Sequence, residues 1–117
     1  MARVCCKVWV EESDRVLFGE GRLALLAAVA EQGSLAGAAR ELSMSYRAAW
    51  GRLRASEKRL GFSLLERSQG GRRAVRLTEQ GKRLMRQYRA MEKEAERFAA
   101  KYAQQWDQEL AELRGRS

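Results

Sequence analysis

A run of cationic residues with one glycine among them recurs at helical spacing in the middle of the chain. The intervals are four, three and four residues, and the positions are Arg47, Gly51, Arg54 and Lys58. Residues so spaced share one face of a helix. Guanidinium and ammonium groups bind phosphates and the edges of bases, and a glycine leaves room for close approach. The stripe favours a helix that enters the major groove of DNA, and a merely solvated charged face is the alternative.

The net charge of the chain is concentrated in the same region. The 117 residues include 23 Lys and Arg against 15 Asp and Glu, which gives a formal net charge of +8. Residues 34–78 carry +7 of it, whereas residues 1–33 carry −1 and residues 79–117 carry +2. A block of this kind is the expected footprint of a phosphate-binding face. An acidic membrane is disfavoured as the partner, because the basic residues are not concentrated on the helix that carries the aromatic residues.

Several other chemistries lack the residues that they need. The chain has no histidine, and its two cysteines, Cys5 and Cys6, are adjacent, so neither a zinc set nor a Ser-His or Cys-His pair can be assembled. No phosphate-binding glycine loop is present. We therefore expect no enzyme, no cofactor and no metal site. The sequence also lacks a membrane-spanning run and a signal peptide, which predicts a cytoplasmic protein with no membrane partner.

The N-terminal residues alternate between apolar and polar types. This period of two over residues 4–10, followed by the apolar residues 16–18, predicts a small β-hairpin. In such a strand Cys5 and Cys6 point to opposite faces, which predicts one packed and one exposed thiol.

Three helices are predicted between residues 22 and 61. The first ends at Gly33 and carries an apolar face, and Ser34 caps a short second helix. Ser45 caps a third helix that runs to Leu60 and stops at Gly61. The tight connection between the last two predicts a helix-turn-helix. The residues expected to face inward on the first helix are Leu23, Leu26, Ala27 and Ala30. Those expected to face inward on the third helix are Ala49, Leu53 and Leu60. Core packing is also favoured for Trp50.

A hairpin and a long helix complete the pattern. Two short apolar runs flank residues 68–73, a glycine-bearing loop with Arg72 and Arg73 at its tip, and this predicts a wing that contacts DNA. Thr78 then caps a helix whose apolar residues repeat at intervals of four and three. Because one small domain cannot cover so long a stripe, it predicts a homodimer contact. The residues of this contact are Leu84, Tyr88, Met91, Ala95, Phe98, Tyr102, Trp106 and Leu110.

Short motifs in a fixed order carry a resemblance to a known family. They are Gly33-Ser34-Leu35, Ala38-Ala39, Met44-Ser45-Tyr46-Arg47-Ala48-Ala49-Trp50, Leu65-Glu66-Arg67, Gly70-Gly71 and Leu77-Thr78-Glu79-Gln80-Gly81. From Val8 to about Met91 the chain resembles the N-terminal winged-helix domain of ModE-type molybdate-responsive transcription regulators. It resembles LysR-type DNA-binding domains more weakly.

The resemblance implies roles for two segments. Ser45, Tyr46 and Arg47 would begin the helix that enters the major groove, and the segment from Gly70 to Arg73 would form the wing. This wing is shorter and less glycine-rich than is usual in the ModE-type family. Full regulators of that type continue into an oxyanion-binding domain, and we assign no oxyanion site within these 117 residues.

Together these observations predict a mainly α protein with small β-hairpins, a winged helix-turn-helix followed by a long C-terminal dimerisation helix. Residues 1–78 would form the DNA-binding domain and residues 79–117 the dimerisation helix. The expected function is that of a homodimeric, sequence-specific DNA-binding transcriptional regulator, with helix 45–60 in the major groove and wing 68–74 on the backbone or minor groove. A protein-protein interaction module without a specific DNA target is the alternative. The predicted DNA-binding residues are Ser34, Ser45, Tyr46, Arg47, Gly51, Arg54, Lys58, Arg72 and Arg73.

Overall fold

The computed structural model describes residues 1–115, which form four helices and two antiparallel hairpins. In chain order the elements are β1 (Val10–Glu12), β2 (Arg15–Phe18), α1 (Glu20–Gln32), α2 (Leu35–Glu41), α3 (Tyr46–Leu60), β3 (Leu65–Arg67), β4 (Val75–Leu77) and α4 (Glu79–Leu113). Strand β1 pairs with β2, and β3 pairs with β4. The predicted fold class, a winged helix-turn-helix with a long C-terminal helix, is confirmed.

The chain divides into two compact units. One comprises residues 9–88, and the other comprises residues 1–8 together with α4 from Arg89 onward. The first unit contains every element of the winged helix and the first turns of α4. No helix within residues 1–115 is both long enough and apolar enough to cross a membrane.

The helix boundaries follow from the capping residues that the sequence predicts. The hydroxyl oxygens of Ser34, Ser45 and Thr78 each accept a hydrogen bond of 3.0 Å from the backbone N–H three residues later. These bonds satisfy donors that the first turn of a helix leaves free. Gly33 and Gly61 end α1 and α3 with φ angles of 71° and 84°, in the left-handed region that glycine adopts without strain. The caps thereby fix where α3, the candidate recognition helix, begins and ends.

The core of the 9–88 unit lies between α1, α2, α3 and the start of α4. Its buried apolar residues include Phe18, Leu25, Leu26, Val29, Leu35, Ala38, Ala49, Leu53, Leu64, Leu77, Met85 and Tyr88. The rings of Phe18 and Tyr88 meet edge to face, with centroids 5.2 Å apart. Ala49 and Leu53 are buried as predicted, which turns the opposite face of α3 toward solvent.

The predicted inward face of α1 is partly wrong. Leu26 is buried, but Ala30 is exposed, and Leu25 and Val29 occupy core positions that were not predicted. Residues 23–30 are eight consecutive apolar residues, so they surround the helix instead of forming one stripe. The spacing alone therefore could not select the face that packs.

The predicted N-terminal β-hairpin is present, but the predicted extent of its first strand is wrong. Residues 1–9 lie in no strand, and β1 begins at Val10. The turn between β1 and β2 places Ser13 and Asp14 at φ angles of 51° and 64°, as a tight hairpin requires. Residues 1–8 instead group with α4, where the backbone N–H of Ala2 donates to the Asp107 carboxylate. Without a strand to separate their faces, Cys5 and Cys6 are both exposed, contrary to the prediction.

Candidate nucleic-acid interface

The outward face of α3 carries the cationic stripe that the sequence predicts. Arg47, Gly51, Arg54 and Lys58 are all exposed. A Cβ atom built on Gly51 would meet no heavy atom within 4 Å, so the space in front of this position is open. A partner could approach the backbone of α3 closely at this point.

The start of α3 presents the remaining predicted residues of this helix. Ser45 is exposed and its hydroxyl is engaged as the N-cap, with the Oγ atom 3.0 Å from the backbone nitrogen of Ala48. The Tyr46 side chain extends into solvent in the first turn, beside Arg47. The cap therefore fixes the helix start from which Tyr46 and Arg47 project.

The wing lies next to α3 and is tied to the turn between α1 and α2. Strands β3 and β4 pair with Leu65 opposite Leu77, and the loop between them carries Arg72 and Arg73, both exposed. The backbone N–H of Val75 donates to the Gly33 carbonyl at 3.0 Å. Ser34, the cap of α2, forms a bridge with Ala74 at the same place. These bonds hold the base of the wing against the helix-turn-helix.

A groove of about 520 Å³ separates α3 from the wing. Cationic and hydrogen-bonding side chains from three elements line it, among them Ser34, Tyr46, Arg54, Arg67, Arg72 and Arg73. Five of the predicted DNA-binding residues thus border one concave surface, while Arg47, Gly51 and Lys58 lie on the neighbouring outward face of α3. The sequence analysis missed Arg67, which is exposed on β3.

Trp50 belongs to this groove and not to the core. Its side chain is 48% exposed, so the predicted core packing is wrong. The Arg54 guanidinium carbon lies 5.3 Å from the centre of the Trp50 ring, within the range of a cation-π interaction. Because Ala49 and Leu53 already occupy the buried face of α3, the intervening Trp50 is turned toward the wing. That occupied face is the sequence signal by which the orientation of Trp50 could have been found.

The surface around the groove is cationic because residues 34–78 carry ten Lys and Arg against three Glu, although Glu57 and Glu66 also line the groove. In the described part of residues 34–78, Glu66 pairs with Arg76 across the wing strands, with Oε2 and Nε 2.7 Å apart. Glu57 accepts a hydrogen bond of 2.7 Å from the backbone N–H of Leu64. The electrostatic field of the exposed arginines and of Lys58 therefore remains available to a polyanion.

The predicted dimerisation residues fall into two groups along α4. Tyr88 is 4% exposed and packs on Phe18, so it belongs to the core of the 9–88 unit. Farther along, the exposed aromatic residues Phe98, Tyr102 and Trp106 lie at intervals of four residues, and the rings of the first two are 4.9 Å apart. The half-buried members of the set are Leu84, Met91, Ala95 and Leu110.

Comparison with known proteins gives the family. Residues 21–82, which run from α1 to the first turn of α4, match the profile described as the bacterial regulatory helix-turn-helix protein, lysR family. The chain belongs to this LysR family. The resemblance to LysR-type DNA-binding domains is thereby confirmed, and the matched residues contain the helix-turn-helix and the wing.

Curated relatives agree with the resemblance to ModE-type proteins. The LysR-family chain is 33% identical to the molybdenum-pterin-binding protein MopB of Rhodobacter capsulatus over 116 residues, which cover 97% of the chain and 43% of MopB. It is 39% identical to MopA of the same organism over 69 residues, covering 57% of the chain and 26% of MopA. The chain therefore spans less than half the length of these relatives.

Solved structures support the same fold. A crystal structure of a CbnR DBD–DNA complex superposes with a TM-score of 0.56 at 33% identity. The superposition covers 70% of the present chain and 91% of the CbnR chain. Full-length LysG from Corynebacterium glutamicum superposes with a TM-score of 0.53 at 30% identity. This superposition covers 78% of the present chain and 29% of LysG.

Proposed function

We propose that this chain is a sequence-specific DNA-binding transcriptional regulator that acts as a homodimer. The observation that carries the proposal is the exposed cationic stripe of α3, which borders a groove lined by the arginines of the wing. Membership of the LysR family and the similarity to a DNA-bound domain support it. The proposal assigns no enzymatic activity, and it places the protein in the cytoplasm, where bacterial chromosomal DNA lies.

In this proposal the segment 45–60 enters the major groove. Tyr46 and Arg47 project from the first turn of α3 toward base edges, and an arginine can form two hydrogen bonds with one guanine. Lys58, three turns farther along, contacts phosphate. The wing segment 68–74 lies on the backbone or in the minor groove, and its two arginines provide the contacts there.

The homodimer forms through α4. The exposed aromatic residues 98, 102 and 106 supply an apolar surface on a helix of 35 residues. A second copy of the same helix is the partner that offers a matching surface. Two recognition helices would then read half-sites roughly 34 Å apart. The division of the chain into a DNA-binding part, residues 1–78, and a dimerisation part, residues 79–117, is included in this proposal.

Fluorescence anisotropy with labelled duplexes tests the proposal. Sites selected by the protein from random or genomic DNA should bind about 10³-fold or more tightly than random duplex at the same salt concentration. Binding to both should weaken steeply as the salt concentration rises. If the protein shows no salt-dependent binding to duplex DNA, the protein-protein interaction module would instead be favoured.

A further inference from the structure

Three arginines gather on the side of α3 that faces away from the wing. The Arg22 Nε atom of α1 donates to the Ser56 Oγ atom at 2.8 Å. The Arg59 Nη1 atom donates to the Val16 carbonyl at 3.1 Å. Arg52 lies one turn before Ser56 and is exposed. Two elements, α1 and α3, therefore bring these guanidinium groups together.

No carboxylate neutralises this arginine cluster, which consists of Arg22, Arg52 and Arg59. Within residues 1–115 none of the three has an Asp or Glu oxygen within 4.0 Å. Burial lowers the pKa of the Arg22 guanidinium below its usual value, and the positive charges of Arg59 and Arg52 act in the same direction. Gathering like charges without a counter-charge is unfavourable, and a bound anion would relieve it.

The position of the cluster around α3 indicates which anion it meets. At about 100° per residue, Arg52 and Arg59 lie roughly 110° to 130° around the helix from the centre of the cationic stripe. Trp50, next to the wing, lies about 70° from that centre on the other side. The major groove of B-DNA is about 12 Å wide and a helix with its side chains is about 10–12 Å across, so the two DNA backbones run along the two flanks of a helix in the groove.

We propose that Arg22, Arg52 and Arg59 form a second phosphate-binding site, which holds the DNA backbone on the flank of α3 opposite the wing. The inference rests on the proposed function and adds a set of contacts to it. Ser56 engages only the Nε atom of Arg22, so both terminal nitrogens of that guanidinium remain available to phosphate oxygens. Arg52 makes no hydrogen bond or ion pair within residues 1–115, so its guanidinium group is available to bind phosphate in the same site.

The test compares the salt dependence of duplex binding between charge-matched variants of the full chain. The double variant R52Q/R59Q should lower the slope of log K against log salt by up to about two units, since each phosphate contact accounts for about 0.9. The control R83Q/R86Q removes the same charge from exposed positions on α4, within the same unit, and should change the slope by less than half as much. R52K/R59K keeps the charges and should retain a slope close to that of the wild type.

Because Arg59 also bonds to the β2 backbone, the single variant R52Q provides a second measurement that does not disturb a contact within the protein. It should lower the slope by about one unit. If the wild type binds duplex and the R52Q/R59Q slope equals that of R83Q/R86Q, the second site is refuted while the proposed function stands. If the wild type binds no duplex, the proposed function itself fails. Calorimetry with inorganic phosphate tests whether the cluster binds a free anion instead of DNA. If R52Q/R59Q abolishes saturable phosphate binding but leaves the salt slope of DNA binding unchanged, the assignment of the cluster to the DNA backbone is overturned.

Discussion

The proposed dimer contact on α4 can be tested at two residues that lie outside the winged helix. Phe98 is 57% exposed and Tyr102 is 38% exposed. Both lie in the unit formed by residues 1–8 and by α4 from Arg89 onward, outside the 9–88 unit. Full burial of a large apolar side chain contributes about 1.5–3 kcal/mol, so burying about half of each contributes about 0.7–1.5 kcal/mol. A dimer contains four such side chains, which together contribute about 3–6 kcal/mol. Phe98→Glu with Tyr102→Glu should therefore raise the dimer Kd at least about 100-fold.

Sedimentation velocity over a concentration series measures this effect directly. The wild type should sediment as a dimer at micromolar concentrations, and the double variant should sediment as a monomer. Gln104→Glu with Gln108→Glu is the matched control, because it adds the same charge at exposed positions on the opposite side of α4. Circular dichroism should show that all three proteins keep a folded winged helix. The double variant should also bind DNA more weakly, since each monomer then holds one half-site.

Two results would refute this reasoning. A wild-type protein that remains monomeric at about 50 μM would show that the aromatic surface does not drive association at the affinity expected from its burial. A control variant that dissociates as fully as the Phe98 and Tyr102 variant would show that added charge, and not the loss of apolar contact, separates the chains.

Three further sets of substitutions test the proposed DNA interface. Arg47→Ala should lower affinity for a selected site by about 1–3 kcal/mol, and an equal loss with random duplex would make Arg47 a phosphate contact. Replacing Arg72 and Arg73 by Ala should reduce the salt slope by up to about two units, and an unchanged slope would remove the wing from the interface. Trp50→Ala should weaken DNA binding several-fold because Arg54 loses its supporting ring, whereas Trp50→Phe should retain most of the affinity. Equal affinities for the two Trp50 variants would contradict that role.

The sequence predicts best those features that depend on local geometry. Ser34 and Ser45 cap helices as expected, and Gly33 and Gly61 end them, because each capping interaction involves residues at most four apart in the chain. The order of helices and the wing follow from the same signals. The exposure of Arg47 also follows locally, since it lies in the first turn of a helix whose buried face is well marked by apolar residues.

The features that the sequence does not determine depend on contacts between distant residues. The alternation over residues 4–10 fits a strand, yet a strand needs a partner, and the hairpin forms from Val10 onward instead. The arginine cluster was missed for a similar reason: 30 residues separate Arg22 from Arg52, and only the packing of α1 on α3 brings them together.

The position of the wing relative to α3 is fixed by hydrogen bonds that do not involve the cationic residues of the candidate interface. Glu57 is the single acidic residue of α3. Its carboxylate accepts a hydrogen bond from the backbone N–H of Leu64, immediately before β3, while the Thr78 hydroxyl donates to the Ser63 carbonyl at 2.7 Å. These bonds join the end of α3 and both wing strands to one short segment. In the proposed complex the helix and the wing are already positioned before binding, so less conformational entropy is lost and more of the electrostatic attraction contributes to affinity.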